Sequence, residues 1–289
     1  MKLKVVKKGF NYSQDGSGNR LVYHLQGCNM HCPWCANPES IPIKGILMAN
    51  KEKLMDSVCP KGAISHQVLH REVCEDCAEQ WCIHVNRNEG IQYSCFELSL
   101  NEIITEVDEA KTLFFDHGGV TFTGGEPTLQ FEMLEKLLQS LYEKQIDTAI
   151  ETNATNPRLE ELFPYISLLI MDVKHIDNIL HRQVTGQSNE QVKINVEKAL
   201  THHKNVLIRT PLIQGFNADK KYINEFLSFY QNFDLSNATF EILKYHEYGK
   251  TKWEQCDMPY TINNGYVTDE LREAFENAYR QAGMRVVRT

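Results

Sequence analysis

Leu21-Val22-Tyr23-His24-Leu25-Gln26-Gly27-Cys28-Asn29-Met30-His31-Cys32-Pro33-Trp34-Cys35 joins an apolar, strand-like run directly to three cysteines. A structural zinc ion or an electron-transfer cluster takes four protein ligands, because a closed shell holds the metal and leaves no position for chemistry. Three thiolates leave one position open. In a cubane cluster that vacancy falls on one iron, which can then bind an exogenous amine and carboxylate. The competing reading is a zinc site completed by His24 or His31; zinc knuckles usually pair C-x2-C elements, whereas the first gap here is three residues.

Outward from this stretch, apolar runs and amphipathic stripes alternate, as parallel strands joined by crossover helices do. Strands are predicted at Leu21 to Gln26, Val120 to Thr123, Thr148 to Thr152, Leu168 to Val173, Val206 to Thr210 and Thr239 to Lys244. Leu168-Leu169-Ile170-Met171 and Val206-Leu207-Ile208 are apolar at consecutive positions, as strands buried on both faces are. Leu129, Met133, Leu134, Leu137, Leu138 and Leu141 recur at helical steps, and weaker stripes run over Asn189 to His203, Asp219 to Tyr230 and Asp269 to Ala282. The expected class is α/β, a partial (β/α)6 TIM-like barrel; periodicity alone does not separate it from a doubly wound open sheet. Residues 51–96 break the alternation and read as a small ferredoxin-like insertion between 1–50 and 97–289.

Composition narrows the function. The 289 residues carry 38 Asp plus Glu against 30 Lys plus Arg, a net charge of −8, so no basic surplus exists for a nucleic-acid backbone. No apolar run approaches about 18 residues, and Met1 to Phe10 is basic without the apolar core of a secretion signal, so no membrane partner is expected and the location expected is the cytoplasm. Nine cysteines, seven of them between Cys28 and Cys82, suit reduced thiols holding metal rather than a disulfide scaffold.

The cysteine triplet, with an aromatic residue before its last cysteine, resembles the cluster motif of the radical S-adenosylmethionine (SAM) enzymes. Gly124-Gly125-Glu126-Pro127 resembles the Gly-Gly-Glu-Pro element of that superfamily, and glycines there let backbone approach a ligand closely. Asp15-Gly16-Ser17-Gly18-Asn19-Arg20, Leu25-Gln26-Gly27-Cys28-Asn29 and Asn37-Pro38-Glu39 are similar to the opening of glycyl radical enzyme activating enzymes of the pyruvate formate-lyase activase type. Glu151-Thr152-Asn153, Asp172-Val173-Lys174, Thr185-Gly186, Arg209-Thr210-Pro211 and Tyr245-His246-Glu247-Tyr248-Gly249 follow in that family's order.

The resemblance implies roles. Cys28, Cys32 and Cys35 would hold an open 4Fe–4S cluster. Trp34, with Cys35 and Ala36, would border the adenine of SAM. Gly124, Gly125 and Glu126 would hold the amino end of its methionine moiety, and Lys174, next to Val173, would meet the carboxylate. Asp172 with Glu151 and Thr152 would form a small cation site. His246 would lie at the ribose or sulfonium end, and Arg209 would join the set. Asp15 and Arg20 would contact the partner enzyme. Ser17, Ala36, Glu151 and Ala154 depart from the usual proline, histidine, aspartate and glycine, which bears most on the cation site.

The insertion reads Cys59-Pro60, Cys74-Glu75-Asp76-Cys77 and Cys82. In two-cluster ferredoxins the run C-x2-C-x2-C-x3-C-P occurs twice, and the cysteine before proline ligates the opposite cluster. Positions 49, 52 and 55 lack cysteine, so one whole set of four is gone and Cys59, Cys74, Cys77 and Cys82 form the other. A second 4Fe–4S cluster is expected there; a four-cysteine zinc site is the alternative. Cys95 and Cys256 read as packed thiols.

By resemblance, the open cluster passes one electron to SAM, and the resulting 5′-deoxyadenosyl radical takes hydrogen from a glycine of a partner enzyme, with no side chain acting as acid or base. A flavodoxin or ferredoxin would supply the electron, in an anaerobic cytoplasm. A radical enzyme acting on a small molecule or another peptide, and a non-catalytic iron-sulfur or zinc protein, are the other readings.

Overall fold

The computed structural model describes residues 2–55, 59–74, 77, 81–85 and 90–289. Its strands in chain order are β1 (Lys2–Tyr12), β2 (Asn19–Leu25), β3 (Leu47–Ala49), β4 (Ile64–Ser65), β5 (Val68–Leu69), β6 (Ile91–Tyr93), β7 (Phe96–Ser99), β8 (Gly119–Gly124), β9 (Thr148–Thr152), β10 (Leu168–Asp172), β11 (Val206–Leu212), β12 (Ala238–Lys244) and β13 (Val286–Val287). The helices are α1 (Trp81–Val85), α2 (Leu100–Ala110), α3 (Phe131–Glu143), α4 (Asn178–Thr185), α5 (Glu190–His202), α6 (Lys220–Tyr230), α7 (Lys250–Gln255) and α8 (Asp269–Gln281).

One nine-stranded sheet runs β13-β12-β11-β10-β9-β8-β2-β1-β7. Strand β2 and strands β8 to β13 are parallel, and their spatial order follows the chain without reversing. A doubly wound sheet reverses direction at its switch point, so this winding is that of a barrel. β7 and β13 are the two edges, and the barrel is therefore open.

Alternation along each strand sorts side chains to two faces. Leu21, Tyr23, Leu25, Val120, Phe122, Ile150, Leu169, Met171, Val206, Ile208, Phe240 and Ile242 join the main hydrophobic cluster, together with Leu134, Leu137, Leu138 and Leu141 of α3. The intervening positions face the concave side. His24, Thr121, Thr123, Glu151, Asp172, Arg209 and Glu241 fall there, beside the apolar Val22, Ala149, Ile170 and Leu207.

Three main-sheet strands were not expected. β1 pairs antiparallel with β2 and with β7; its sequence is mostly charged or polar, because only Leu3 and Val5 reach the core. Helix α2 was also missed, although Ser99 and Glu102 form a capping box that the sequence displays.

Leu47–Ala49, upstream of residue 51, pairs with Ile91–Tyr93. A second hydrophobic cluster of Ala49, Leu54, Ile64, Cys82 and Ile91 lies beneath the cysteine-rich stretch, with Leu47, Cys59, Leu69 and Ile83 packed on it. Phe96 pairs with Val5 in the main sheet. Among the described residues, no helix is long and apolar enough to cross a membrane.

Candidate active site

The three-cysteine loop begins where β2 ends. Its entry is pinned by Gly27 N–H donating to Ser40 O (2.7 Å) and Cys28 N–H to Ile41 O (3.1 Å), while Cys35 N–H turns back onto Cys32 O (3.0 Å). The backbone N–H groups of Met30 and Asn37 donate to the Cys28 and Cys35 sulfurs, both at 3.4 Å. All three thiols border a cavity of about 260 Å³ at the strand ends, also lined by Trp34, Ala36, Gly124, Gly125, Glu151, Thr152, Asp172, Lys174 and His246. Burial pushes each of the three thiols up to about 12. Such groups ionise only beside a strong positive charge, which is what an iron cluster supplies. N–H donors on the sulfurs and open space beside them fit that group.

The glycine pair is held against this loop. Gly125 N–H donates to Leu25 O (2.9 Å) and Glu126 N–H to Gly27 O (2.7 Å). A Cβ at Gly125 would lie 2.2 Å from Gly27 O, so only glycine permits the approach. Glu126 itself requires a correction. Its carboxylate is fully buried and does not border the cavity. One oxygen accepts from Thr128 N–H (3.1 Å), Thr128 Oγ1 (2.5 Å) and Thr152 Oγ1 (2.7 Å), the other from Asn153 N–H (2.7 Å). It braces the 152–153 turn rather than a ligand's ammonium. Ala154 just beyond has φ 60°, the left-handed region that a glycine occupies without strain.

Glu151, Thr152 and Asp172 all reach the cavity. Glu151 pairs with Arg209 (2.7 Å) and accepts from Thr123 Oγ1 (2.8 Å); Asp172 pairs with Lys174 (2.8 Å). Thr152 Oγ1 is engaged by Glu126. Both carboxylates are thus paired with cations of the chain itself. Burial acts to lower Lys174, but Asp172 and Cys32 raise it above the usual lysine range, and it stays charged.

Arg209 lies in the barrel interior between Glu151 and Glu241 (2.8 Å) and is a structural ion-pair partner rather than a cavity residue. Val173 is likewise turned into the main hydrophobic cluster. His246 borders the cavity and stacks on Tyr248, with ring centroids 4.2 Å apart. Trp34 packs on Phe216 at 4.9 Å.

Arg20 is corrected as well. It is 1% exposed and bound to Asp147 (2.8 Å), Thr121 Oγ1 (2.7 Å) and Val120 O (2.9 Å), leaving nothing for a partner protein. Asp15 is partly exposed and pairs with Asn11; burial, then the nearby Glu151, raise its carboxyl above the usual range. Sequence reasoning assigned no site role to Met30, Asn37, Ser40, Thr123, Asn153, Pro211 or Leu243, which also line the cavity. Met30, Asn37, Asn153 and Pro211 stood inside quoted motifs and Ser40 beside one; Thr123 and Leu243 carry no signal apart from their position near strand ends.

Cys59, Cys74, Cys77 and Cys82 are brought together around a second, smaller cavity walled by Pro60, Ile64, Leu69 and Trp81. Cys95 and Cys256 lie outside it. None of the nine cysteines, all among the described residues, is in a disulfide.

The radical SAM superfamily profile matches residues 22–227. The chain is 29% identical to the 4-hydroxyphenylacetate decarboxylase activating enzyme of Clostridioides difficile (strain CD196), over 93% of this chain and 90% of that one. It is 30% identical to the indoleacetate decarboxylase activating enzyme of Tractidigestivibacter scatoligenes, over 87% and 86%. A crystal structure of a domain of pyruvate-formate lyase-activating enzyme from Bacteroides vulgatus superposes with a TM-score of 0.50 at 26% identity, covering 59% of this chain and 98% of that domain. The chain thus belongs to the radical SAM superfamily and, within it, to the glycyl radical enzyme activating enzymes, which work with SAM and a 4Fe–4S cluster.

Proposed function

We propose that this chain activates a partner glycyl radical enzyme by removing a hydrogen atom from the backbone of one of its glycines. One observation carries the reading: the three thiols, Trp34, the glycine pair, Asp172, Lys174 and His246 come from separate segments and open onto a single cavity. Cys28, Cys32 and Cys35 would hold a 4Fe–4S cluster, which would supply the electron that splits SAM into methionine and a 5′-deoxyadenosyl radical.

The protein's task is orientation and exclusion of water. Lys174, kept charged by Asp172, would meet the carboxylate of the methionine moiety, and the backbone at Gly124 and Gly125 would receive its amino end. Trp34, backed by Phe216, offers a flat surface to the adenine beside Cys35 and Ala36. His246, whose pKa burial lowers, is a neutral neighbour for the ribose. Arg209 and Lys174 place positive charge beside Glu151 and Asp172, so this reading needs no small cation. Asp15 is the residue we assign to partner contact.

We further assign Cys59, Cys74, Cys77 and Cys82 to one closed 4Fe–4S cluster in a ferredoxin-like unit at 51–96, inserted into a barrel formed by 1–50 and 97–289. That unit relays electrons from a flavodoxin or ferredoxin, or shapes the docking surface, in an anaerobic cytoplasm. Anaerobic incubation with SAM, dithionite and a candidate partner should give a glycyl doublet in electron paramagnetic resonance (EPR). Cys32→Ala should abolish 5′-deoxyadenosine, whereas Cys59→Ala should leave some cleavage. Equal loss from both variants refutes the division between the two cysteine sets, and zinc in either set refutes that cluster.

A further inference from the structure

Helix α7 touches both cysteine-bearing regions, and the residues that do so are not those bordering the cavity. On one side, Trp253 is 7% exposed and its indole Nε1–H donates to the carbonyl of Cys35 at 2.9 Å. Lys252 Nζ bridges Asn37 Oδ1 (2.8 Å) and Glu39 Oε1 (2.6 Å), gripping the chain just after the third cysteine. Gly249, at the start of the helix, lies so close that a Cβ there would be 2.5 Å from Cys35 O and 2.7 Å from Ala36 Cα. Backbone meets backbone at this point, and a glycine is required for contact rather than for a turn.

On the other side, the cysteine-rich stretch holds the helix's C-terminal end. Arg71, three residues before Cys74, donates to Gln255 O (3.0 Å) and to Leu47 O (2.6 Å), and its Nε lies 3.6 Å from Asp257 Oδ2. Lys51 pairs with Glu254 (3.5 Å). The last carbonyls of a helix lack intrahelical partners, so Arg71 satisfies a group that would otherwise turn to water. A cation at a helix C-terminus is also favoured by the dipole.

We infer that α7 is a strut: Trp253 is a positioning residue for the loop Cys28–Cys35, and Arg71 ties that loop's support to the insert. The inference rests on the proposed function, because it concerns the loop as a cluster holder. Trp253, Lys252 and Gly249 hold the loop and the residues just after it without themselves bordering the cavity. Losing the Trp253 hydrogen bond therefore frees the Cys35 carbonyl without changing any of the three thiols.

The test uses the full chain, reconstituted anaerobically with iron and sulfide and reduced with dithionite. EPR separates the two sites, because a signal that shifts on adding SAM belongs to the open site and one that does not belongs to the insert. Trp253→Phe keeps an aromatic ring but removes the N–H together with part of the buried indole, so loss of the hydrogen bond sets the least effect expected. Its SAM-sensitive signal should decay about fivefold faster under an iron chelator, the factor for one hydrogen bond of about 1 kcal/mol, with the SAM-insensitive signal unchanged. Arg71→Met should speed the same decay by a smaller factor, because Arg71 holds α7 and not the loop itself. Wild-type decay in Trp253→Phe, or parallel loss of both signals, overturns the positioning role. Wild-type decay in Arg71→Met overturns the tie to the insert. A wild-type chain without any SAM-sensitive signal would instead overturn the proposed function itself.

Discussion

Replacing Glu126 by glutamine separates a carboxylate that binds a ligand from one that braces the site. The side chain is fully buried, and each of its two oxygens accepts a different backbone N–H, from Thr128 (3.1 Å) and from Asn153 (2.7 Å). An amide of the same shape has one acceptor oxygen and one NH2 group. Whichever way it is turned, the NH2 faces a backbone donor, and one buried N–H is left without an acceptor. That orphan costs about 1–3 kcal/mol, and the remaining bonds lose their charge assistance. A loss of about 2 kcal/mol lowers the melting midpoint of a chain of this size by about 5 °C. Thermal unfolding of the apo chain measures the first quantity, and equilibrium SAM binding to the reconstituted chain measures whether the ligand feels it. The structure predicts a lower midpoint with only a secondary weakening of SAM binding. An unchanged midpoint together with lost SAM binding would place the carboxylate on the ligand and refute the reasoning.

Arg209→Met should destabilise by about 3–5 kcal/mol in urea unfolding, because it leaves Glu241, 2% exposed, and Glu151 without their shared cation; a neutral effect would contradict the interior ion-pair network. Gly125→Ala should abolish 5′-deoxyadenosine formation, since its Cβ meets the Gly27 carbonyl carbon at 2.7 Å and displaces the cysteine loop; a cleavage assay on reconstituted protein checks this. His175 is 1% exposed, and burial lowers it from 6.5 to about 4. Below pH 6.5 the unfolded chain binds a proton there that the folded chain refuses, so stability falls as pH drops from about 6.5 to 4, by about 3 kcal/mol in total. His175→Gln should flatten the dependence of unfolding free energy on pH across that window, and an unchanged slope would show that the group titrates normally.

Parallel strands and their helices were legible because their signals are local. Leu168–Met171 and the α3 leucines each declare a period within a dozen residues, and the structure places β9 at the expected Thr148–Thr152. β1 was not legible, since a strand that offers two side chains to the core and the rest to solvent looks like charged coil. The cysteine triplet was legible for a related reason: ligands for one cluster that sit within a single turn of chain need no knowledge of the fold.

The sequence by itself therefore determined the α/β class, the three-cysteine loop after the first parallel strand and the set of four cysteines that the fold brings around one cavity. Tertiary structure alone decided the sheet order that makes a barrel, and it decided what each charged side chain is occupied with. Arg20, Glu126 and Arg209 all stand in motifs and all proved to be occupied by other parts of the protein. Asp147, Asn153 and Glu241 come within reach of them only when distant strands align in register. A motif names which residues are near a site along the chain, whereas a side chain's role follows from which partners fill its hydrogen-bonding capacity in space. That allocation is a property of packing between strands, and no local pattern encodes it.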